Sequence, residues 1–282
     1  RHLDPSKPIL AAVVDHSGGV ALKNTYFHDA AARAIMDDFF GDGTPGSADP
    51  WKLALSSVVN FDPVTLVVEV GEDLARNLVG TPLKIQKAST DSIPYVNTQC
   101  DVLDQHLRAI GKIVGPKYAY ESIPPGHASY GHTWAMMDFK TVCDWLSTQT
   151  LRIPLNGNTL ADQDARYYHF DIVQDSFGVF TPFSWVIDRP SNELRFDQTA
   201  NLARVTVDLA STGLDPGQPL RLIVGTSDGI PDQIVFSGVP NAPTVVTRDS
   251  VPNATNWSHD PGMQTLTVSE LDGAPHTWEF AP

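Results

Sequence analysis

Cysteine is scarce in this sequence: Cys100 and Cys143 are the only two among its 282 residues. Two thiols are too few for a disulfide framework or for a cysteine-based metal site. Long apolar runs are missing too, and none approaches the roughly 18–20 residues of a membrane-spanning helix. Because 41% of the residues are hydrophobic and 18% are charged, the composition predicts a globular chain that can bury a core.

Basic residues are also few, with 19 Lys and Arg against 33 Asp and Glu and a formal net charge of -14. This charge repels phosphate backbones and anionic lipid, so neither nucleic acid nor a membrane surface is predicted as a partner. Asp215, Asp228 and Asp232 are of the residue type that binds calcium, but turn aspartates usually hydrogen-bond their own backbone. We therefore predict no metal and no other cofactor.

The first 150 residues alternate between apolar strands and amphipathic helices. The predicted strands are residues 9–14, 65–70, 82–88 and 118–123. The predicted helices are residues 29–40, with Asp29 as N-cap, 95–111 and 135–147. This alternation is typical of a parallel sheet with crossover helices.

Residues 151–282 have a different pattern, in which short alternating runs are separated by turns and no amphipathic helix is visible. The predicted strands are residues 168–173, 180–187, 203–209, 220–224, 234–236 and 265–268; one predicted turn is Asn156-Gly157. The pattern favours an antiparallel β-sandwich. Tyr167, Tyr168 and Trp185 are interpreted as core residues rather than as a platform for a polymer. The chain is thus divided into an α/β domain, residues 1–150, and an all-β domain, residues 151–282.

Three polar residues follow two of the predicted strands. Asp91 lies between the strand 82–88 and a helix, and His127 and His132 lie in the loop after the strand 118–123. The loops after parallel strands meet at one edge of the sheet. A hydrolytic serine needs an imidazole base, and the imidazole needs a carboxylate that fixes its tautomer. A lone Asp after a strand is usually a cap or turn residue. The hypothesis of a catalytic triad therefore depends on Asp91 and the two histidines occurring together after neighbouring strands.

Two strings resemble a known family: T-P-L-K-I-Q-K-A-S-T-D-S-I-P-Y-V-N-T-Q, residues 81–99, and I-P-P-G-H-A-S-Y-G-H-T-W, residues 123–134. They are similar to the C-terminal part of α/β-hydrolases of the prolyl-oligopeptidase-like and polyhydroxybutyrate-depolymerase-like esterase type. The resemblance implies that the chain contains the last three strands of a hydrolase sheet, with Asp91 as catalytic acid. His132 has the G-H-T-W context of the depolymerases and is the preferred base. His127 has the P-G-H context of the oligopeptidases and remains the alternative.

The nucleophile is not evident. The elbow spacing G-x-S-x-G does not occur within residues 1–150. Ser17 follows an apolar run, but Asp15 is too large for the position two before a nucleophile, and Ser47 has no preceding strand. We therefore expect the serine on a partner, an N-terminal hydrolase fragment of the same precursor. The start of the chain at Arg1, directly before the first strand, fits the expectation of a cleaved precursor.

The resemblance also carries expectations for the rest of the chain. It places a lid at about residues 20–64, where Phe27, Phe39, Phe40 and Trp51 would shape an acyl pocket. It places the helices with the two cysteines on opposite faces of the sheet, which implies buried free thiols. Residues 201–225 loosely resemble the C-terminal β-domain of some bacterial prolyl-oligopeptidase-like hydrolases, which implies a jelly-roll-like β-sandwich after the α/β-hydrolase part.

The predicted function is that of a serine hydrolase subunit that acts on a small or polymeric ester. A peptidase with the same machinery is one alternative. A non-catalytic binding or scaffolding subunit is the other, although intact Asp91 and the paired histidines argue against a decayed site.

Overall fold

The computed structural model describes residues 13–16, 20–91, 93–126, 139–149, 153–230, 232–270 and 272–282. These residues fall into two compact units, residues 13–149 and residues 153–282. The first unit mixes helices with a small sheet, and the second consists mostly of β-strands. No helix in the described ranges is long and apolar enough to cross a membrane.

A three-stranded parallel sheet forms the centre of the α/β unit. Its strands are β1 (Val13–His16), β2 (Leu83–Ala88) and β3 (Tyr118–Ile123), with β2 in the middle. The helices are α1 (Leu22–His28), α2 (Ala30–Phe40), α3 (Pro50–Leu55), α4 (Pro94–Ala109) and α5 (Phe139–Ser147). Short 3-10 turns cover Val70–Glu72 and Leu74–Leu78. The parallel pairing that the alternation of elements predicts is confirmed.

Local signals account for the two long helices. The Asp29 carboxylate accepts the amide hydrogens of Ala31 and Ala32 at 2.9 and 3.0 Å, so it caps α2 as predicted. Proline opens α4 at Pro94, where the missing amide hydrogen costs no intrahelical bond. The predicted helices 29–40 and 95–111 therefore agree with α2 and α4 to within two residues.

The two faces of the sheet differ in polarity. Leu83 and Ile85 are buried in the cluster that includes Leu103 and Leu107 of α4. Lys84, between them on the strand, faces the other side, where its ammonium lies 5.7 Å from the ring centre of Trp145 on α5. Because the helices α4 and α5 contact opposite sides of β2, their two cysteines lie on different faces.

The prediction of two free thiols is confirmed, but only Cys100 is buried. Cys143 is exposed, so the expectation of a buried thiol at this position is wrong.

The predicted strand at residues 65–70 is wrong as well. The Asp62 carboxylate accepts the amide hydrogens of Val64 and Thr65 at 2.9 and 2.7 Å and closes a turn there. Leu66 then adopts a positive φ of 60°, and only one isolated bridge, between Phe61 and Val68, remains. Val67 and Val70 are exposed, so apolar composition alone misled the prediction.

Two sheets build the β-rich unit. Its strands are β4 (Asn156–Ala161), β5 (Ala165–Tyr167), β6 (Phe170–Gln174), β7 (Thr181–Asp188), β8 (Glu193–Gln198), β9 (Leu202–Asp208), β10 (Leu220–Thr226), β11 (Asp232–Ser237), β12 (Val245–Arg248), β13 (Val251–Pro252), β14 (Trp257–Asp260), β15 (Thr265–Glu270) and β16 (His276–Ala281), with one short helix, α6 (Leu209–Thr212). One sheet has the order β13-β12-β16-β10-β8-β7-β4 and the other β14-β15-β11-β9-β6-β5.

The pairing within these sheets is mixed. β10 runs parallel to β8, and β11 runs parallel to β9. The expectation of an antiparallel domain is therefore wrong for these two pairs, although the other strand pairs of the unit are antiparallel. Sequence runs show that a strand exists, but its direction is set by the partner that the loops allow it to reach.

Aromatic rings connect the two sheets. Phe170 of β6 lies 5.1, 5.3 and 5.5 Å, between ring centres, from Phe183, Trp185 and Phe196 of the opposite sheet. Edge-on contacts of this kind add to the burial of apolar area. These rings are almost fully buried, so the facing sides of the two sheets form one core.

Trp185 is 1% exposed, and Tyr167 and Tyr168 are also buried, which confirms their interpretation as core residues. Gly157 lies opposite Trp185 in the β4–β7 pair. It belongs to a strand, so the predicted turn at Asn156-Gly157 is wrong. A Cβ atom at position 157 would lie 2.5 Å from the indole Cζ2; glycine serves here to make room for the indole.

Candidate functional site

The carboxyl ends of the three parallel strands lie at one edge of the sheet. Ala88 is opposite Ile123 in the register of β2 and β3, and His16 at the end of β1 is opposite Gln86. Beyond these strands, the amide of Ser89 still donates a hydrogen bond to the Ile123 carbonyl at 2.8 Å. The chain segments that follow all three strands therefore leave from the same edge, where active residues of parallel sheets are found.

Asp91 lies at this edge, three residues after the end of β2 and three residues before the start of α4. It is half-buried, and its Oδ1 accepts the amide hydrogen of Ile93 at 2.8 Å. A carboxylate has about four acceptor positions on its two oxygens, so this bond is compatible with a further bond to an imidazole. Asp91 therefore lies between a strand and a helix at the carboxyl edge; its role as the catalytic acid stays a prediction.

The predicted histidines lie outside the described residues. β3 ends at Ile123, and the described chain continues to Gly126, one residue before His127. The structure therefore places Asp91 and the beginning of the histidine loop at one edge, without placing His127 or His132 themselves. Ser17 also lies outside the described residues.

Ser47 is placed in the loop between α2 and α3, where its hydroxyl organises the loop. Its Oγ accepts the amide hydrogen of Asp42 at 3.1 Å and lies 3.4 Å from the carbonyl oxygen of Asp37. Asp37 itself is buried and accepts the phenol of Tyr26 at 2.8 Å. Burial would raise the pKa of Asp37, but hydrogen bonds from Gly46, Tyr26 and Ala48 lower it. The contacts of the Ser47 hydroxyl with Asp42 and Asp37 give Ser47 a structural role in this loop.

The helical segment of residues 20–64 is joined to α4 close to Asp91. Tyr95, in the first turn of α4, donates its phenol hydrogen to Asp29 Oδ2 at 3.0 Å. The ring of His28 is stacked on Tyr95 with the centres 6.0 Å apart. One turn further along α4, the buried Gln99 accepts the amide hydrogen of Ala21 at 3.1 Å. This segment is therefore anchored next to the carboxyl edge.

The aromatic residues that were predicted to line an acyl pocket differ in exposure. Phe27 is 54% exposed and Phe39 is 78% exposed, whereas Phe40 and Trp51 are half-buried. The lid role of the segment stays a prediction.

A histidine-carboxylate pair lies near the end of α4 that is farther from Asp91. His106 Nε2 is 2.7 Å from Oδ2 of Asp73, which is 1% exposed. Asp73 also accepts the amide hydrogen of Ala75 at 3.1 Å and so caps the adjoining 3-10 turn. Sequence reasoning missed this pair because neither residue follows a strand, and its position away from the carboxyl edge indicates a structural contact.

The elbow spacing does occur once in the β-rich unit, as Gly225-Thr226-Ser227-Asp228-Gly229, and sequence reasoning overlooked it. The motif requires a strand, a sharp turn and then a helix. Ser227 follows β10, but the next element is β11. Ser227 Oγ accepts the amide hydrogen of Gly229 at 3.2 Å, and a Cβ at Gly225 would lie 2.4 Å from the carbonyl oxygen of Asp197. Turn formation and close packing of strands account for these residues.

His276, in the same unit, lies between two carboxylates. Its Nδ1 is 2.7 Å from Asp249 Oδ2, and its Nε2 is 2.8 Å from Asp272 Oδ1. Burial would lower the pKa of His276, but the hydrogen bonds to the two carboxylates raise it. With both ring nitrogens engaged, this imidazole favours the charged form and is unsuited to act as a base.

Comparisons with known proteins leave the family open: no protein-family model matches this chain, and no curated protein matches it. The hydrolase hypothesis therefore depends on the residues and on the geometry of the carboxyl edge.

Proposed function

We propose that this chain supplies the acid and the histidine of a Ser-His-Asp triad in a serine hydrolase, with a carboxylic ester as substrate. The observation that carries the proposal is the position of Asp91. It follows the middle strand of a parallel sheet at the edge from which β3 leads to the loop of His127 and His132.

The chemistry of the proposed triad is one of acyl transfer. Asp91 accepts a hydrogen bond from one nitrogen of His132, or of His127, and stabilises the imidazolium that forms. The other nitrogen takes the proton of the serine hydroxyl as its oxygen attacks the ester carbonyl. The same nitrogen returns the proton to the leaving alcohol, and water then hydrolyses the acyl-enzyme.

The proposed function implies a fold for each unit. The strands β1, β2 and β3 are the last three strands of an α/β-hydrolase sheet, and the β-rich unit is a β-sandwich of jelly-roll type. The shared core of the two β-sheets supports the sandwich. The parallel order β1-β2-β3, with Asp91 after β2, supports the hydrolase assignment.

The nucleophile is proposed to lie on a partner polypeptide. Among the described residues no strand pairs with the outer edge of β1, and an unpaired edge is a template for another strand. A partner that continues the parallel sheet beside β1 would bring the carboxyl ends of its own strands, and an elbow serine, to the edge of Asp91.

Labelling with a fluorophosphonate probe tests the proposal on the native preparation. We expect one modified serine in a G-x-S-x-G sequence of a second polypeptide, found by peptide mass spectrometry. Ser227→Ala is the matched control and should leave the labelling unchanged, because its motif lies in a turn between strands.

Other outcomes separate the alternatives. A modified Ser17 would move the nucleophile to this chain and contradict the partner. Absence of any modified serine, together with absence of ester hydrolysis, would contradict the hydrolase and favour a scaffolding subunit. Labelling with hydrolysis of peptides but not of esters would assign a peptidase.

A further inference from the structure

Asp232 is an unusual carboxylate at one end of the β-rich unit. It is the first residue of β11 and is 1% exposed. Its Oδ2 accepts a hydrogen bond from the Thr199 hydroxyl at 3.1 Å, but its Oδ1 is buried without a donor among the described residues. A buried carboxylate oxygen without a partner is costly, so something else must compensate this group.

Further carboxylates surround this group and increase the cost. The carboxylates of Asp228, Asp175 and Glu270 lie within electrostatic range of Asp232. Asp175 is a half-buried residue just after β6, and its Oδ2 is a second oxygen without a donor. Asp175 also lies within electrostatic range of Asp228. Two carboxylates in the same cluster thus each have one unsatisfied oxygen.

Two cations near Glu270 are engaged with other carboxylates. Arg248 contacts Glu270 at 2.8 Å and Asp272 at 3.3 Å, and His276 contacts Asp249 and Asp272. In the part of the chain that the structure describes, no Lys or Arg forms an ion pair with Asp175 or Asp232. Within the described ranges, the carboxylates of Asp175 and Asp232 therefore have no ion-pair partner.

Asn201 connects the segments that contain Asp175 and Asp228. The Asn201 carbonyl accepts the amide hydrogen of Asp175 at 3.3 Å, and the Asn201 amide donates to Asp228 Oδ2 at 2.7 Å. Asp228 Oδ1 accepts the amide hydrogen of Ile230 at 3.0 Å. Each oxygen of Asp228 thus accepts an amide hydrogen, whereas Asp175 and Asp232 each have one buried oxygen without a donor among the described residues.

We propose that Asp175 and Asp232 bind a calcium ion through these two oxygens, with main-chain carbonyls and water as the remaining ligands. Calcium accepts six to eight oxygen ligands in flexible geometry. No three His, Cys, Asp or Glu side chains of the described ranges are arranged to hold a metal, and the site is accordingly one of two carboxylates. Asp232 is thus a buried strand residue, rather than one of the turn aspartates that the sequence analysis dismissed.

Thermal unfolding of the full chain, freed of metal by a chelator and then supplied with CaCl2 or MgCl2, tests the proposal. We expect calcium at about a hundred times its dissociation constant to raise the Tm by on the order of 5–10 °C. Magnesium should have a smaller effect, since it demands a stricter octahedron. Isothermal titration with CaCl2 measures the affinity directly.

Three variants make the test specific. Asp232→Asn should abolish the calcium shift, and Asp175→Asn should raise the dissociation constant at least about tenfold. Asp175 is half-buried, so this variant keeps the test valid if Asp232→Asn fails to fold. Asp260→Asn, at an exposed turn that closes on Gly262, is the control and should leave the shift unchanged. Lack of a calcium shift in the original chain, or a shift that persists in both cluster variants, would overturn the proposal.

Discussion

The carboxylate of Asp91 accepts the amide hydrogen of Ile93 at 2.8 Å, at the point where the chain turns from β2 into α4. This bond gives Asp91 a structural role that is independent of catalysis. The two roles can be separated because an asparagine oxygen can accept the same amide hydrogen, whereas an amide cannot replace a carboxylate beside an imidazole.

We expect Asp91→Asn to keep the Tm while it lowers turnover by about three to four decades, because an amide favours the wrong imidazole tautomer. Asp91→Ala should lose turnover and also about 1 kcal/mol of stability, since the Ile93 amide loses its acceptor. Hydrolysis of a chromogenic ester and thermal unfolding measure the two effects. Near-normal turnover of Asp91→Asn would remove Asp91 from the triad.

The two histidines can be distinguished by paired substitutions in one loop. We expect His132→Ala to lose about three decades of turnover or more, as for a general base, and His127→Ala to keep activity with an altered KM. Steady-state kinetics with one ester decides between them. The reverse result would assign the base to His127, and full activity of both variants would contradict the hydrolase proposal for this loop.

The close contact of Gly157 with Trp185 predicts a stability effect without a catalytic one. In Gly157→Ala, the new Cβ would lie 2.5 Å from Cζ2 of an indole that other rings hold in place. We expect a loss of about 1–3 kcal/mol, which chemical denaturation would measure. Gly115→Ala is the control, because no heavy atom lies within 4 Å of its Cβ position. Equal stability of the two variants would refute the packing argument.

The buried histidine of the β-rich unit predicts a pH dependence of stability. His169 is 3% exposed, and burial lowers its pKa to about 4. The unfolded chain binds a proton near pH 6.5, whereas the folded chain resists it until about pH 4. The stabilisation by the neutral imidazole is therefore present above pH 6.5 and is lost as the pH falls to about 4, with an effect of about 3 kcal/mol.

The measurement is the free energy of unfolding between pH 4 and pH 7. His169→Gln should flatten the decline on the acid side. His276→Gln should have the opposite pH dependence. The two carboxylates beside His276 raise its pKa, so the imidazolium stabilises the folded chain at low pH and this stabilisation fades as the pH rises. The variant lacks this contribution. An unchanged pH profile in His169→Gln would show that the residue is not the titrating group.

Local patterns predicted those elements whose signals are contained in a few residues. The strand at residues 118–123 was predicted with its observed bounds, and α2 with its cap at Asp29, because both depend on neighbours in the sequence. The same rules failed for residues 65–70, where a single Asp62 turn outweighed β-branched composition. They also overlooked β4, whose glycine is explained only by Trp185 across the sheet.

For the candidate site, the sequence alone determined that an acid follows one strand and that two histidines follow the next. It also determined that the G-x-S-x-G spacing is absent from residues 1–150. Tertiary structure decided that β2 and β3 are parallel neighbours, which brings Asp91 and the histidine loop to one edge. It likewise decided which acidic residues are unusual: Asp215 closes an ordinary turn, whereas Asp232 is buried beside residues far away in the sequence. Burial and charge proximity depend on such distant segments, so no local pattern contains them.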